Sequence, residues 1–198
     1  MPRLLSIMEV VKIIEASQGI TKSMLTLMYL YCLRPNEVTG LQIEDVDFKR
    51  LVFNIKGKSR SKKTFPMIPV IEEMLRKAIG KRESGPVFTS VDGGPVRDLR
   101  NRLTIAKGGA CITRSVSLHD LRHSCATHLL DHCENLSTIE DLFGFEGAGS
   151  AFKNTKDTLG NIRDASRALW DHYLKMSIAL GFTKPVTRNN GKKPDNEG

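Results

Sequence analysis

With 198 residues and 22.1 kDa, the chain has the size of one ordinary domain, or of a smaller domain with a tail. Hydrophobic residues at 40% and charged residues at 26% suffice to bury a core, which excludes a wholly disordered chain. Thirty Lys and Arg against 22 Asp and Glu leave a net charge of +8. That excess favours a polyanionic partner, because each phosphate neutralised releases condensed counterions.

The longest apolar run, Met24–Leu33, is broken by Thr26 and ends at Arg34. It falls short of the roughly 18 residues that a membrane-spanning helix needs, so no membrane partner is expected. The opening MPRLLSIMEVVKIIEAS meets acidic side chains early and offers no signal-peptide core. A cytoplasmic, intracellular protein is expected. The four cysteines, Cys32, Cys111, Cys125 and Cys133, include no CxxC pair, and free thiols in a reducing compartment are expected. His123, Cys125, His128, His132 and Cys133 crowd one segment, but no second ligand pair stands at finger-like spacing. No metal is expected there.

In chain order, Ser6 caps a helix whose apolar positions Met8, Val11 and Ile14 recur at helical spacing, with Val10 and Ile13 beside them and Gly19 as its end. A second helix from about Thr21 to Leu33 is apolar nearly all round and is expected to be central. Pro35 interrupts it, and Asn36-Glu37 open a short helix. The character then changes. Asp45–Phe48 reads as a strand end, Leu51–Ile55 as a strand, and Thr64–Ile68 as its antiparallel partner. The turn between them holds five basic residues, Lys56, Lys58, Arg60, Lys62 and Lys63, a density that favours phosphate contact over a merely solvated tip.

Helix returns over Val70–Ala78, and Gly85, Gly93, Gly94 and Pro95 punctuate loops around a short VFTS strand. Asp98–Ala106 is predicted helical and Lys107-Gly108-Gly109 a loop. Leu118–Leu130 is a strong helix, and Ile139–Phe143 a shorter one after a Ser137 cap. Residues 144–160 carry four glycines and little periodicity, and read as a mobile segment. Ile162, Ala165, Leu169, Tyr173, Met176 and Leu180 then form the stripe of a final helix. The expected organisation is one unit over residues 1–182 and a disordered basic tail over 183–198.

Two motifs carry chemistry. In CLRPNEV, Arg34 stands where a buried helix ends and turns, which can hold its guanidinium rigidly beside a cleft. In HDLRHSCATHLL, His119 and Arg122 are three apart and share one face near a helix N-terminus. Two permanently charged bidentate donors with a histidine and a lysine suit a phosphodiester transition state. Each residue also has a plainer role. Arg34 could pair with Glu37 or Asp45, His119 could cap its helix, and His123 and His128 read as surface or packing histidines.

Taken together, these motifs resemble the tyrosine recombinases, the phage integrase family, over about residues 4–180 of the catalytic domain. LRPNEVTGLQIEDVD is similar to the segment with the family's first catalytic arginine, here Arg34. The basic hairpin is similar to the element with its catalytic lysine, here Lys58. HDLRHSCATHLL is similar to the stretch that supplies His119 and the second arginine, Arg122. The resemblance implies a mainly α-helical fold with a small antiparallel β-sheet. It also implies site-specific breakage and rejoining of double-stranded DNA through a 3′-phosphotyrosyl link, without a cofactor, by a tetramer on DNA. In those roles Arg34 and Arg122 hold the scissile phosphate, Lys58 protonates the leaving 5′-oxygen, and His119 assists proton transfer. Lys56, Arg60, Lys62 and Lys63 are the expected DNA-contacting residues.

The family pattern then lapses. Counted from Arg122 without gaps, Phe145 stands where a His or Trp is expected, and Asn154 where the nucleophilic tyrosine is expected, with Phe152 two residues before it. The three tyrosines are Tyr29, Tyr31 and Tyr173. Only Tyr173 follows Arg122, and its stripe position argues for packing over attack. The alternative is therefore a non-cleaving DNA-binding relative, such as a regulator, accessory subunit or nucleophile-removed variant. The first helix begins near residue 6, so the chain either lacks the DNA-binding domain that precedes many family catalytic domains or resembles the catalytic-domain-only recombinases that invert fimbrial promoters.

Overall fold

Ser6 opens helix α1 (Ile7–Ala16) with a reciprocal cap: its hydroxyl accepts the Glu9 N–H at 3.3 Å, and the Glu9 carboxylate accepts the Ser6 N–H at 2.9 Å. The computed structural model describes residues 4–56, 62–131 and 156–183, without the side chains of 156 and 157. Gly19, expected to end α1, instead begins α2 (Gly19–Tyr31) in a left-handed conformation, φ 54°, that glycine adopts without a Cβ clash. Helix α2 is buried on nearly every side and, among the described residues, touches all the other helices, as its all-round apolar character requires. It stops at Tyr31, two residues early, because Cys32 turns left-handed (φ 51°) and donates its N–H to the Met28 carbonyl.

Pro35 then starts α3 (Pro35–Thr39), where a missing N–H costs nothing. A 3-10 turn, Ile43–Asp45, leads into an antiparallel sheet of β1 (Val46–Asp47), β2 (Val52–Lys56) and β3 (Lys62–Pro66) in that order. Phe53 faces Phe65 across β2 and β3, and both rings meet Tyr31 of α2 edge-on at 5.2 and 5.8 Å. The Tyr31 hydroxyl donates to the Pro66 carbonyl at 2.7 Å. This aromatic cluster pins the sheet against the end of α2 that leads to Arg34.

Helices α4 (Pro69–Ile79), α5 (Leu99–Gly109), α6 (Leu118–Leu130) and α7 (Lys156–Ala179) are the other helices among the described residues. The predicted VFTS strand is absent: residues 87–90 make a single bridge, Thr89 to Pro95, and Arg82 donates to the carbonyls of Ala78, Pro86 and Val87. Helix α5 runs on through Lys107–Gly109, which the glycines had suggested as loop, and ends with the Ala110 N–H on the Ala106 carbonyl. Gly160, assigned to the mobile segment, lies inside α7. The predicted Ile139–Phe143 helix, positions 145, 152 and 154, and the tail beyond Thr183 lie outside the described residues. Among the described residues no helix is long and apolar enough to cross a membrane.

Candidate functional site

Arg34 caps α3. Its N–H donates to Glu37 Oε2 at 2.6 Å and its guanidinium Nη1 to Glu37 Oε1 at 3.2 Å, while the side chain keeps 46% of its surface exposed. One carboxylate thus fixes both the backbone and the head group of the arginine. Of the two partners the sequence offered, Glu37 is used and Asp45 is not.

Arg122 comes from α6, whose start is set by another reciprocal cap: the Ser117 hydroxyl accepts the Asp120 N–H at 3.1 Å, and the Asp120 carboxylate accepts the Ser117 N–H at 2.8 Å. With this start His119 falls in the first turn, exposed, and Arg122 one turn on, only 8% exposed. Burial lowers the Arg122 pKa, the positive charge of Arg34 lowers it further, and Glu37 partly restores it. An arginine stays protonated through such a shift. The fold therefore holds two cations within reach of each other, one of them largely desolvated, with the Glu37 carboxylate acting on both.

A disulfide joins the two arms. Cys32, two residues before Arg34, and Cys125, three after Arg122, are both buried and bonded to each other, with Cα atoms 5.9 Å apart. The expectation of free thiols fails for this pair because α2 and α6 pack against each other and bring together positions 93 residues apart. Cys111 is free and exposed, and Cys133 lies outside the described residues. The histidine and cysteine cluster of the sequence is dispersed in the same way. Cys125 faces Cys32, and the Tyr29 hydroxyl lies 2.7 Å from His128 Nδ1. His123 turns to His119, with their Nε2 atoms 2.7 Å apart. Among the described residues no three His, Cys, Asp or Glu converge as a metal site.

At the base of the basic hairpin, Lys56 and Lys62 stand directly opposite each other on β2 and β3, where like charges repel. The buried carboxylate of Asp45 sits between them, 3.1 Å from Lys56 and 3.9 Å from Lys62. Both lysines remain about 60% exposed. Lys63 is on β3, paired across to Ile55. Lys58 and Arg60 lie outside the described residues.

Tyr173 points elsewhere. Its ring stacks on Trp170 at 4.9 Å, is 2% exposed, and its hydroxyl donates to Glu15 Oε1 of α1 at 2.7 Å. Burial and the Glu15 carboxylate push its pKa up, away from the phenolate an attacking tyrosine needs. Lys22, at 2.6 Å, neutralises the same carboxylate.

Beyond the disulfide, sequence reasoning missed two further contacts near the site. One is the His119–His123 pair, whose only signal was the spacing of four residues on a helix. The other is Asp45, read as a possible partner of Arg34 and found instead on the hairpin lysines.

A helical unit with a three-stranded sheet, two arginines from separate arms and a lysine pair at the base of a hairpin defines the class. The same fold occurs in the integrase from mycobacterium phage Brujita, with a TM-score of 0.70 and 24% identity over 89% of this chain and 63% of that one. It occurs also in the XerH site-specific recombinase bound to its difH substrate, with a TM-score of 0.63, 18% identity and coverage of 91% and 55%. The model of the phage integrase family matches residues 3–153, and the chain belongs to that family. It is 30% identical over 160 residues to the tyrosine recombinase XerC of Halalkalibacterium halodurans, covering 74% of this chain and 53% of XerC. The chain spans about half the length of the curated relatives it matches.

Proposed function

We propose that the chain binds double-stranded DNA at a phosphodiester held between Arg34 and Arg122, and acts in site-specific recombination by strand breakage and rejoining. The observation that supports this reading is that Arg34, at the cap of α3, and the buried Arg122 of α6 come from two arms joined by the Cys32–Cys125 bond. Two guanidiniums can each donate twice to the non-bridging oxygens of one phosphate, and they stabilise most strongly the extra negative charge of a pentavalent transition state. In this reading Lys58, on the hairpin, protonates the leaving 5′-oxygen, and His119 takes or returns the proton of the attacking hydroxyl. No cofactor is required for these steps. Lys56, Arg60, Lys62 and Lys63 add phosphate contacts along the duplex, and the assembly on DNA is a tetramer, as in the family.

One observation favours a second reading. Asn154 stands at the expected nucleophile position, and Tyr173 is committed to Glu15, so the chain could bind DNA and not cleave it, as a regulator or accessory subunit. Incubation with a duplex carrying a nick near the scissile site separates the two. A covalent protein–DNA adduct supports recombination, and peptide mapping then names the nucleophile. Salt-sensitive binding without an adduct supports the accessory role. Binding that is unaffected by salt, or by replacing Arg34 and Arg122 with alanine, contradicts both.

A further inference from the structure

We propose that His123 is a positioning residue for His119: it occupies Nε2 of His119, fixes the ring and its tautomer, and leaves Nδ1 as the nitrogen that meets the substrate. The inference rests on the reading of His119 given above, and extends it to a residue that the motif does not assign.

The two histidines lie one turn apart on α6. Their Nε2 atoms are 2.7 Å apart, and the rings meet edge-on, with centroids at 4.2 Å and planes at 76°. At that separation one nitrogen carries a hydrogen and the other a lone pair, so a single proton lies between the rings and each tautomer dictates the other. The anchoring direction follows from exposure. His119 is exposed on the first turn, whereas His123 is half-buried beside Arg122. A solvent-exposed imidazole otherwise rotates and exchanges tautomers freely, which is ill suited to delivering a proton to one atom.

Burial, together with the nearby positive charges of His119 and Arg122, lowers the His123 pKa, with Asp120 opposing. His123 is thereby kept neutral and able to accept. The proton balance is then simple. His119 in the Nε2–H form donates to His123 Nε2 and presents a bare Nδ1. A proton leaving the attacking hydroxyl binds at Nδ1, and the resulting imidazolium keeps its Nε2–H bond to His123. Return of that proton from Nδ1 restores the starting state. No other bond changes and no further reactant is needed. This is the orienting logic by which a second group sets the tautomer of a working histidine.

The test is long-range proton–nitrogen NMR on the full chain with 15N-labelled histidine, for the parent, His123→Leu and His123→Gln. The parent should show His119 as one tautomer with Nε2 protonated. In His123→Leu the two His119 nitrogen shifts should converge toward the tautomer average. In His123→Gln, whose amide reaches the place of Nε2, the parental pattern should largely return. Circular dichroism establishes that the variants fold; should the leucine variant not fold, His123→Asn, too short to reach, takes its place. A His119 pattern unchanged in the leucine or asparagine variant, or a parent with Nδ1 protonated, overturns the proposal.

Adduct formation on the nicked duplex is measured alongside. If the parent forms one, His123→Leu should slow it by about tenfold, with DNA affinity unchanged within about twofold, and glutamine should rescue the rate. If the parent forms none, the recombination reading fails, while the tautomer result still decides the role of His123.

Discussion

Two buried polar side chains, Arg122 and Tyr173, are treated in opposite ways by the same fold. Tyr173 is buried with its hydroxyl on Glu15, and Glu15 is in turn held by Lys22 and Ser177, so every charge there meets its complement. Arg122 is buried beside a second cation, with Glu37 shared between the two. Burial of a charge is tolerated where opposite charges and hydrogen bonds replace water, and is costly beside a like charge. The difference lies in the charges nearby: the Glu15 carboxylate at Tyr173 is met by Lys22, whereas Arg122 feels both the like charge of Arg34 and the opposite charge of Glu37, which suits the phosphate contact proposed for it.

The comparison can be broken most sharply at Tyr173. Tyr173→Ala should cost about 3–5 kcal/mol of stability by opening a cavity between α1 and α7, and Tyr173→Phe about 1–2 kcal/mol by removing a hydrogen bond to a carboxylate. Urea unfolding checks both, and DNA affinity should be unchanged in the phenylalanine variant. On the other side, Arg122→Lys should keep the fold and reduce any strand cleavage by about 100-fold or more, since a point charge cannot reproduce the bidentate fork. A lysine variant that cleaves at the parental rate would mean that Arg122 does not contact the phosphate.

The bridge between the arms comes next in size. Opening Cys32–Cys125 with a thiol reductant, or by Cys125→Ser, should lower stability by about 2–4 kcal/mol, because the bond closes a long loop of the unfolded chain. Melting temperatures with and without reductant read this directly, and Cys125→Ser should itself be insensitive to reductant.

A more modest effect is expected at Glu9, in the first turn of α1. Arg114 grips its carboxylate at 2.8 and 2.9 Å, and this hydrogen bonding holds the Glu9 pKa down, from 4.5 to about 2. Between those values the unfolded chain binds the proton and the folded one does not, so the stabilisation is present above about pH 4.5 and is lost as pH falls toward 2. The contribution is on the order of 2 kcal/mol, reduced by partial exposure. Glu9→Gln should flatten the acid limb of the stability curve and leave the neutral region's shape unchanged.

Much of this architecture was legible in the residues. Helix positions followed from apolar periodicity and, for α1, from the Ser6 cap, because both signals are local. The hairpin followed from the strand-like runs Leu51–Ile55 and Thr64–Ile68 around a cationic turn. What escaped was set by distant partners. Gly108 and Gly109 read as loop, yet α5 continues through them. VFTS reads as a strand, yet Arg82 takes carbonyls that a sheet partner would have needed. The Cys32–Cys125 pair depends on α2 meeting α6, which no spacing encodes. At the candidate site, Arg34, His119 and Arg122 were proposed from order and type. Their supports, Glu37 on Arg34 and His123 on His119, became definite only when rotamers and distances were fixed.

If Arg122 is held at a cost to the free protein for the sake of a phosphate, removing its charge should relieve the fold and weaken the grip on DNA. Arg122→Met keeps much of the buried volume and removes the charge, so stability and DNA affinity can be measured on one variant. The two effects should have opposite signs: a melting temperature equal to or above that of the parent, with weaker DNA binding and a salt dependence shallower by about one unit of log–log slope. A variant that melts lower while binding DNA as tightly and with the same salt dependence would show that Arg122 is a structural arginine, and would contradict its assignment to the phosphate.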